Sequence, residues 1–335
     1  MTTAEPPTPH PTKTVPLTCH GHSRPVPHLS FSSLSPSPST SPDTPAQYYL
    51  ISACKDNNPM LRDGVTGDWI GTFIGHKGAV WQARLSSDAS LAVTGSADFS
   101  AKVWDTTTGE ALATLAGAHI VRSVGVPPGE GRPRVVATAG AEKRLKVWDV
   151  EVVGGGGEKV GSWEVGPGVH QGTVKSIVWS GADANVLVTA ADDKMVRWWD
   201  LRAKSVVKEY AVEGLVGSCE LNGTGNVLSV AAGKSIYFFD GTQPGSLFKK
   251  MDMGYEVASA AVNMEQRKFV TGSTGDTWVR VHDLDTGEEI ETGKGHHGPV
   301  WSVAFSPDGK LYATGSEDGT IKLWKFTTGP YGLWR

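Results

Sequence analysis

GHHGPVWSVAFSPDGKLYATGSEDGTIKLW, from Gly295 to Trp324, holds three short strand patterns divided by turn signals. PVWSVAFS alternates apolar and polar residues, SPDGK breaks the run, LYATGS resumes it, EDGT turns, and IKLW alternates again. Asp308-Gly309 and Asp318-Gly319 suit tight reversals, because glycine accepts positive φ without steric cost. Three strands ending on an open edge neither bury both faces nor resist pairing with another chain. Another part of the sequence has to complete the unit.

The same design recurs along the chain. Gly-His, or a worn form of it, stands at Gly21-His22, Gly75-His76, Ala118-His119, Val169-His170 and Gly295-His296. An aromatic residue followed by Asp closes most units: Trp104-Asp105, Trp148-Asp149, Trp199-Asp200, Phe239-Asp240 and His282-Asp283. The first unit ends Arg62-Asp63 and the last Trp324-Lys325, and successive Asp positions from 63 to 283 lie 40 to 51 residues apart. That is the period of a four-stranded propeller blade bearing the Trp-Asp signature. The predicted fold is all-β, a seven-bladed WD-repeat β-propeller over residues 14–326. Unit five departs most, with no Gly-His and with Gly233 at the turn Asp position, and unit three carries Glu142 there.

Units two, four and seven repeat a His, a strand Thr, a turn Asp and a Trp at matching offsets. These are His76, Thr94, Asp98, Trp104; His170, Thr189, Asp193, Trp199; and His296, Thr314, Asp318, Trp324. A buried indole N–H needs an acceptor, and a Thr hydroxyl both accepts and donates. The His then passes the chain to the Asp, so every polar group is satisfied. The set also has the composition of a hydrolytic triad. A triad is normally single, and three copies read as a structural network, with no enzyme implied.

Propeller topology predicts where the missing strand lies. After unit seven only TTGPYGLWR remains, a C-terminal tail over 327–335. The outer strand of the last blade is therefore expected from Val15–Cys19, closing the ring from the N-terminus. Residues 1–13, rich in Pro and Thr, are expected to be a disordered tail. A Ser/Pro-rich loop over 32–47 interrupts blade one, with Ser-Pro and Thr-Pro steps at Ser35, Ser37, Ser41 and Thr44 as candidate phosphorylation sites. VGGGGEK, from Val153 to Lys159, reads as a flexible hairpin extension.

The totals narrow the function classes. A formal charge of −4 and a pI near 6.2 give no electrostatic drive toward nucleic acid or anionic lipid. No stretch approaches the ~20 apolar residues of a membrane span. Three cysteines, Cys19, Cys54 and Cys219, argue against a disulfide framework and for a reducing compartment. Cys19, His20 and His22 lie close together, but zinc wants a fourth ligand and His22 fills a Gly-His position, so no metal is predicted. No phosphate-binding glycine loop occurs, and no cofactor is predicted.

Binding is better supported. The residue after the Val that follows each Gly-His is expected at the mouth of the central channel. That register selects Pro27, Trp81, Arg122, Lys175, Gly217, Ala258 and Trp301, and the residue before the turn Asp adds Lys55, Asp192 and Glu317. Trp and Arg dominate interface energetics, so Trp81, Trp301, Arg122, Lys175, Lys55, Asp192 and Glu317 form the predicted protein-binding top face. The bland alternative packs each Trp between neighbouring blades. Separately, Trp199-Asp200-Leu201-Arg202 resembles the box by which some WD-repeat proteins dock as substrate receptors on cullin-type ubiquitin ligases, with Arg202 as the docking residue.

Several stretches are more particular. YLISACKDNNPMLRDGVTGDWIGTFIGHKGAVWQARL (Tyr49–Leu85), PLTCHGHSRPV, ADFSAKVWD, HIVRSV and YGLW (Tyr331–Trp334) are similar to the serine/threonine kinase receptor-associated (UNR-interacting) protein family. Arg62 in place of a Trp belongs to the same similarity. The resemblance implies a non-catalytic scaffold in cytoplasm and nucleus. It also implies partners such as survival-of-motor-neuron (SMN) complex factors of spliceosomal ribonucleoprotein assembly or an RNA-binding cold-shock protein, and a signalling-adaptor role. The Ser/Pro insertion and the poly-Gly loop depart from the family. The i subunit of the eukaryotic translation-initiation complex numbered three shares a similar K-D…GH-x-G-x-V-W layout and is the alternative. Direct nucleic-acid binding is not expected, and a closed ring needs no second copy.

Overall fold

The computed structural model describes residues 15–34, 47–129, 131–150 and 160–334. The predicted disordered tail, the serine and threonine phosphorylation candidates and the poly-Gly extension lie outside the described residues. No helix occurs among the described residues, and 28 strands form seven four-stranded antiparallel sheets. Each sheet is one propeller blade. Blade two shows the pattern, running Val80–Leu85, Leu91–Ser96, Ser100–Asp105 and Ala111–Ala116 from the channel outward. The innermost strands touch their neighbours in sequence order round the ring, and that of blade seven, Val300–Phe305, meets that of blade one, His28–Phe31.

The core is seven separate layers, one between each pair of consecutive blades. Ile51, Leu61, Val80 and Trp104 fill the layer between blades one and two. Leu145, Val165, Ile177 and Trp199 fill the layer between three and four. Each blade is buried on both faces, so strands such as Leu91–Ser96 and Leu311–Ser316 are buried at every position, beyond the one-faced burial that apolar–polar alternation alone implies. Gly309 and Gly319 adopt φ of 65° and 77°, the turn conformation for which an Asp-Gly step is suited.

Blade seven is completed from the other end of the chain. Leu17–Cys19 pairs with Ile321–Lys325 in the register Leu17 to Leu323, Thr18 to Lys322 and Cys19 to Ile321. Residues 327–334, which sequence reasoning leaves as a tail, add a second fastening. Tyr331 and Trp334 exchange backbone hydrogen bonds, and the Trp334 indole N–H donates to the Val15 carbonyl at 2.9 Å. The Trp334 ring packs with Cys19, Leu29, Leu50 and Leu323 in the layer between blades seven and one. Tyr331 also bonds Tyr48 of blade one at 2.9 Å. The C-terminus therefore clasps the strand that closes the ring.

Candidate functional site

Inside the blades the repeated polar residues are hydrogen-bonded to one another. In blade two, Trp104 Nε1–H donates to Thr94 Oγ1 at 2.8 Å, Thr94 meets His76 Nε2 at 2.7 Å, and His76 Nδ1 meets Asp98 at 2.8 Å. Blade seven repeats this with Trp324, Thr314, His296 and Asp318 at 2.9, 2.8 and 3.1 Å. Burial holds the His76 and His296 pKa values down, so both rings are neutral donors to their carboxylates. Burial pushes Asp98 and Asp318 up, but hydrogen bonds from hydroxyls, backbone N–H groups and the imidazole prevail and hold each at about 2. Each Thr hydroxyl is already engaged by an indole and an imidazole.

Blade four differs from the expected chain. Its His170 does not reach Asp193. Arg197 Nη1 lies between them, 3.2 Å from His170 Nδ1 and 2.8 Å from Asp193 Oδ2. A guanidinium offers only donors, so Nδ1 must accept and Nε2 carries the proton toward Thr189 at 3.3 Å. Burial first, and the Arg197 charge second, bring His170 down to about 4. The cause is one residue two places before the Trp. Lys102 and Lys322 in blades two and seven turn instead to the outer-strand hydroxyls of Thr114 and Thr18. In blade three His119 is exposed, and Glu142 accepts the Ala118 N–H at 3.2 Å in its stead.

Two further blades carry versions of the set, blade one at its Gly21-His22 step and blade six outside the Gly-His pattern. In blade one, His22 bonds Ser52 at 2.8 Å and Asp56 at 3.1 Å, while buried Arg62 donates to the carbonyls of Gly67 and His20. In blade six, Tyr255 stands where a His is usual, bonding Thr271 at 2.6 Å and His282 at 2.9 Å. The signal available was His282 before Asp283, at the place of a Trp.

One of these sets has the composition of a metal site. Ligand atoms of His22, Cys54 and Asp56 lie within 4.8 Å of one another. Cys54 Sγ, however, donates to the Arg24 carbonyl at 3.0 Å and accepts the Asp56 N–H at 3.4 Å. Ser96 and Ser316 make the same pair of bonds, to Gly78 and Asp98 and to Gly298 and Asp318. Cys54 is a serine analogue in the turn. Burial pushes its thiol to about 12, far from the thiolate a zinc ion binds.

The rim residues share one backbone device. In six blades the pairing of the innermost strand skips a residue, and the skipped residues are Trp81, Arg122, Lys175, Gly217, Ala258 and Trp301. A β-bulge takes a residue out of register and re-aims its side chain. Blade one has no such bulge, and half-buried Pro27 precedes its first strand. Four of the bulged side chains join an arc with the turn residues. Trp301 Nε1–H donates to Glu317 at 2.6 Å, and Glu317 lies 3.8 Å from Lys55 Nζ. Lys55 Nζ stands 5.5 Å from the Trp81 ring centre, and Arg122 Cζ stacks on that ring at 3.8 Å. Beyond it Lys175 pairs with Asp192 at 3.2 Å.

The arc spans blades seven, one, two, three and four and fades across five and six. Ala258 is buried, and a Cβ on Gly217 would stand 2.4 Å from the Ala258 carbonyl oxygen, so that stretch of rim carries no large side chain.

The opposite mouth holds a feature no motif announces. A cavity of about 230 Å³ opens between the far ends of the innermost strands, lined by Ser30, Phe31, Trp179, Phe305 and the ion pair of Arg84 with Glu220. Arg202 is at the same end of blade four. Its backbone N–H and its guanidinium both bond Asp200, at 2.8 and 3.1 Å, and its side chain is 66% exposed.

Comparison with known proteins places these features in context. The WD domain, G-beta repeat family matches residues 67–105, 167–200 and 287–325. The serine-threonine kinase receptor-associated protein of Gallus gallus is 44% identical over 96% of this chain and 85% of its own length. The Homo sapiens protein of that name is 41% identical over the same shares, and that of Dictyostelium discoideum is 39% identical over 92% of this chain and 98% of its own. Eukaryotic translation initiation factor 3 subunit I of Culex quinquefasciatus is 29% identical over 84% of this chain and 91% of its length.

Proposed function

Since this chain belongs to the serine-threonine kinase receptor-associated protein family of WD-repeat propellers, we propose that it works without catalysis as an adaptor in ribonucleoprotein assembly. The proposed partners are assembly factors of the SMN-complex type or an RNA-binding cold-shock protein, met in cytoplasm and nucleus through the rim. A signalling-adaptor role is the secondary proposal. The observation that carries an interaction role is the arc Trp301–Glu317–Lys55–Trp81–Arg122, in which two partly exposed indoles stand among charged neighbours. Aromatic residues and arginine so placed are the types that concentrate binding energy. The formal charge of −4 supports protein partners over direct nucleic-acid or membrane contact.

Affinity purification of the tagged chain tests this reading. Recovery of ribonucleoprotein-assembly factors supports it, and their loss with Trp81→Ala/Trp301→Ala places them on the rim. Dominance of initiation-factor subunits supports the alternative to which the 29% identical relative points. Docking on a ligase adaptor is a separate proposal on Arg202, and undiminished adaptor recovery with Arg202→Ala excludes it.

A further inference from the structure

We infer that the Trp81–Arg122 corner of the rim receives an aspartate or glutamate side chain of a partner protein, with the Arg122 guanidinium as its principal contact. The inference rests on the rim being the binding face and adds the chemistry of what binds there. The rim carboxylates beside this corner each face another cation or donor first. Glu317 takes the Trp301 indole N–H and faces Lys55, and Asp192 faces Lys175. The turn carboxylates behind them, Asp56, Asp98 and Asp318, are bound to His22, His76 and His296. Arg122 is hydrogen-bonded to none of them, and Asp192 acts on it only as a nearby charge. Its Cζ lies over the Trp81 ring at 3.8 Å, and among the described residues no acceptor is hydrogen-bonded to it.

The Trp81 Nε1–H is likewise buried without an acceptor. Two donors of this corner, the Trp81 indole and the Arg122 guanidinium, therefore have no hydrogen-bonded acceptor, and Asp192 alone among the rim carboxylates acts on the Arg122 charge. A stacked guanidinium keeps its N–H edge free, and that edge matches a carboxylate with two parallel hydrogen bonds. Contact with the ring restrains the side chain beforehand, which lowers the ordering cost of binding. Lys55, on the same ring at 5.5 Å, adds a second positive charge beside the pocket. A partner lysine or arginine would meet this cluster with like charge.

The test uses the full chain and the partner that it recovers. Peptides tiled across that partner are probed with the purified chain, and each Asp or Glu of a binding peptide is replaced by Asn or Gln. The expected result is at least a tenfold loss from one acid-to-amide change, a similar loss from Arg122→Gln, and no further loss when the two are combined. Arg122→Glu should lower recovery of the intact partner at least tenfold, while the melting temperature stays at the wild-type value. Additive losses, binding confined to phosphoserine peptides, or undiminished recovery with Arg122→Glu would each overturn the carboxylate assignment. If Trp81→Ala/Trp301→Ala also leaves recovery unchanged, the rim itself is excluded. Loss with the Trp pair but not with Arg122 variants removes only the acidic ligand.

Discussion

Arg84 Nη2 lies 3.0 Å from both carboxylate oxygens of Glu220, though 136 residues separate the two in sequence. His28 Nε2 approaches the same carboxylate at 3.1 Å across 192 residues. The three come from the innermost strands of blades two, five and one, so the cluster is a crossbar through the channel. The Arg84 and Glu220 side chains are only 16% and 19% exposed. Removing one partner strands a desolvated charge, whereas removing both leaves a surface that apolar groups can fill. Glu220→Gln is expected to cost about 3 kcal/mol, and Arg84→Met/Glu220→Leu much less than the two single changes added together. Urea titration of the two single variants and the double variant measures this, and additive losses would show that the crossbar is not a coupled unit.

The C-terminal clasp makes a different demand. Trp334 fills the layer between blades seven and one and holds the Val15 carbonyl, while Leu17–Cys19 has only three paired positions to secure it. Trp334→Ala should cost about 3 kcal/mol through the cavity it leaves. Amide exchange should quicken first at residues 17–19 and along the Ile321–Lys325 strand, before the other blades respond. Uniform quickening in all seven blades would assign Trp334 to the general core instead of to closure.

What was legible in the sequence is what is local. Turn glycines, the Thr–Trp offset within one blade and the count of seven depend on contacts inside about 40 residues, and the period repeats them. The closing strand, read from the sequence as Val15–Cys19 and paired over Leu17–Cys19, was also legible, because ring closure leaves only one place for an unpaired strand. The crossbar was not, since no pattern links residues 84 and 220 until seven innermost strands face one channel. Nor was the insertion of Arg197 between His170 and Asp193, since Lys102 and Lys322 at the same offset turn to outer-strand hydroxyls. The rim was legible as residue types, but the arc depends on bulges that turn Trp81 and Arg122 onto one another, and on Lys55 from the neighbouring blade.

Acid should find the turn carboxylates together. Asp56, Asp98 and Asp318 are each held at about 2 against an ordinary carboxylate value of about 3.9. A depressed pKa contributes stability that is complete above the unfolded value and is lost as pH falls through the native one. The window is therefore about pH 4 to pH 2. With solvent screening at these half-buried turns, each contributes about 1 kcal/mol. Melting temperature measured across that window should fall for the wild type. Asp98→Asn should begin lower and fall less steeply, and an identical slope would show that Asp98 is not held down in the fold.

Blade four should respond at a higher pH and through a base. His170 is brought down to about 4 by burial and then by Arg197, against an ordinary value of about 6.5. Below 6.5 the unfolded chain takes up a proton that the native ring refuses, so this histidine's contribution is complete above 6.5 and is lost as pH falls toward 4. Arg197→Met removes the intervening cation and leaves His170 facing Asp193, the arrangement that blades two and seven already use. The imidazole should then exchange its Nε2–H tautomer for Nδ1–H, and its pKa should rise. Ring carbon and nitrogen shifts followed by NMR from pH 3 to 8 report both changes. A His170 that keeps its tautomer and its titration point in Arg197→Met would show that burial alone sets them, and that Arg197 is a bystander in the turn.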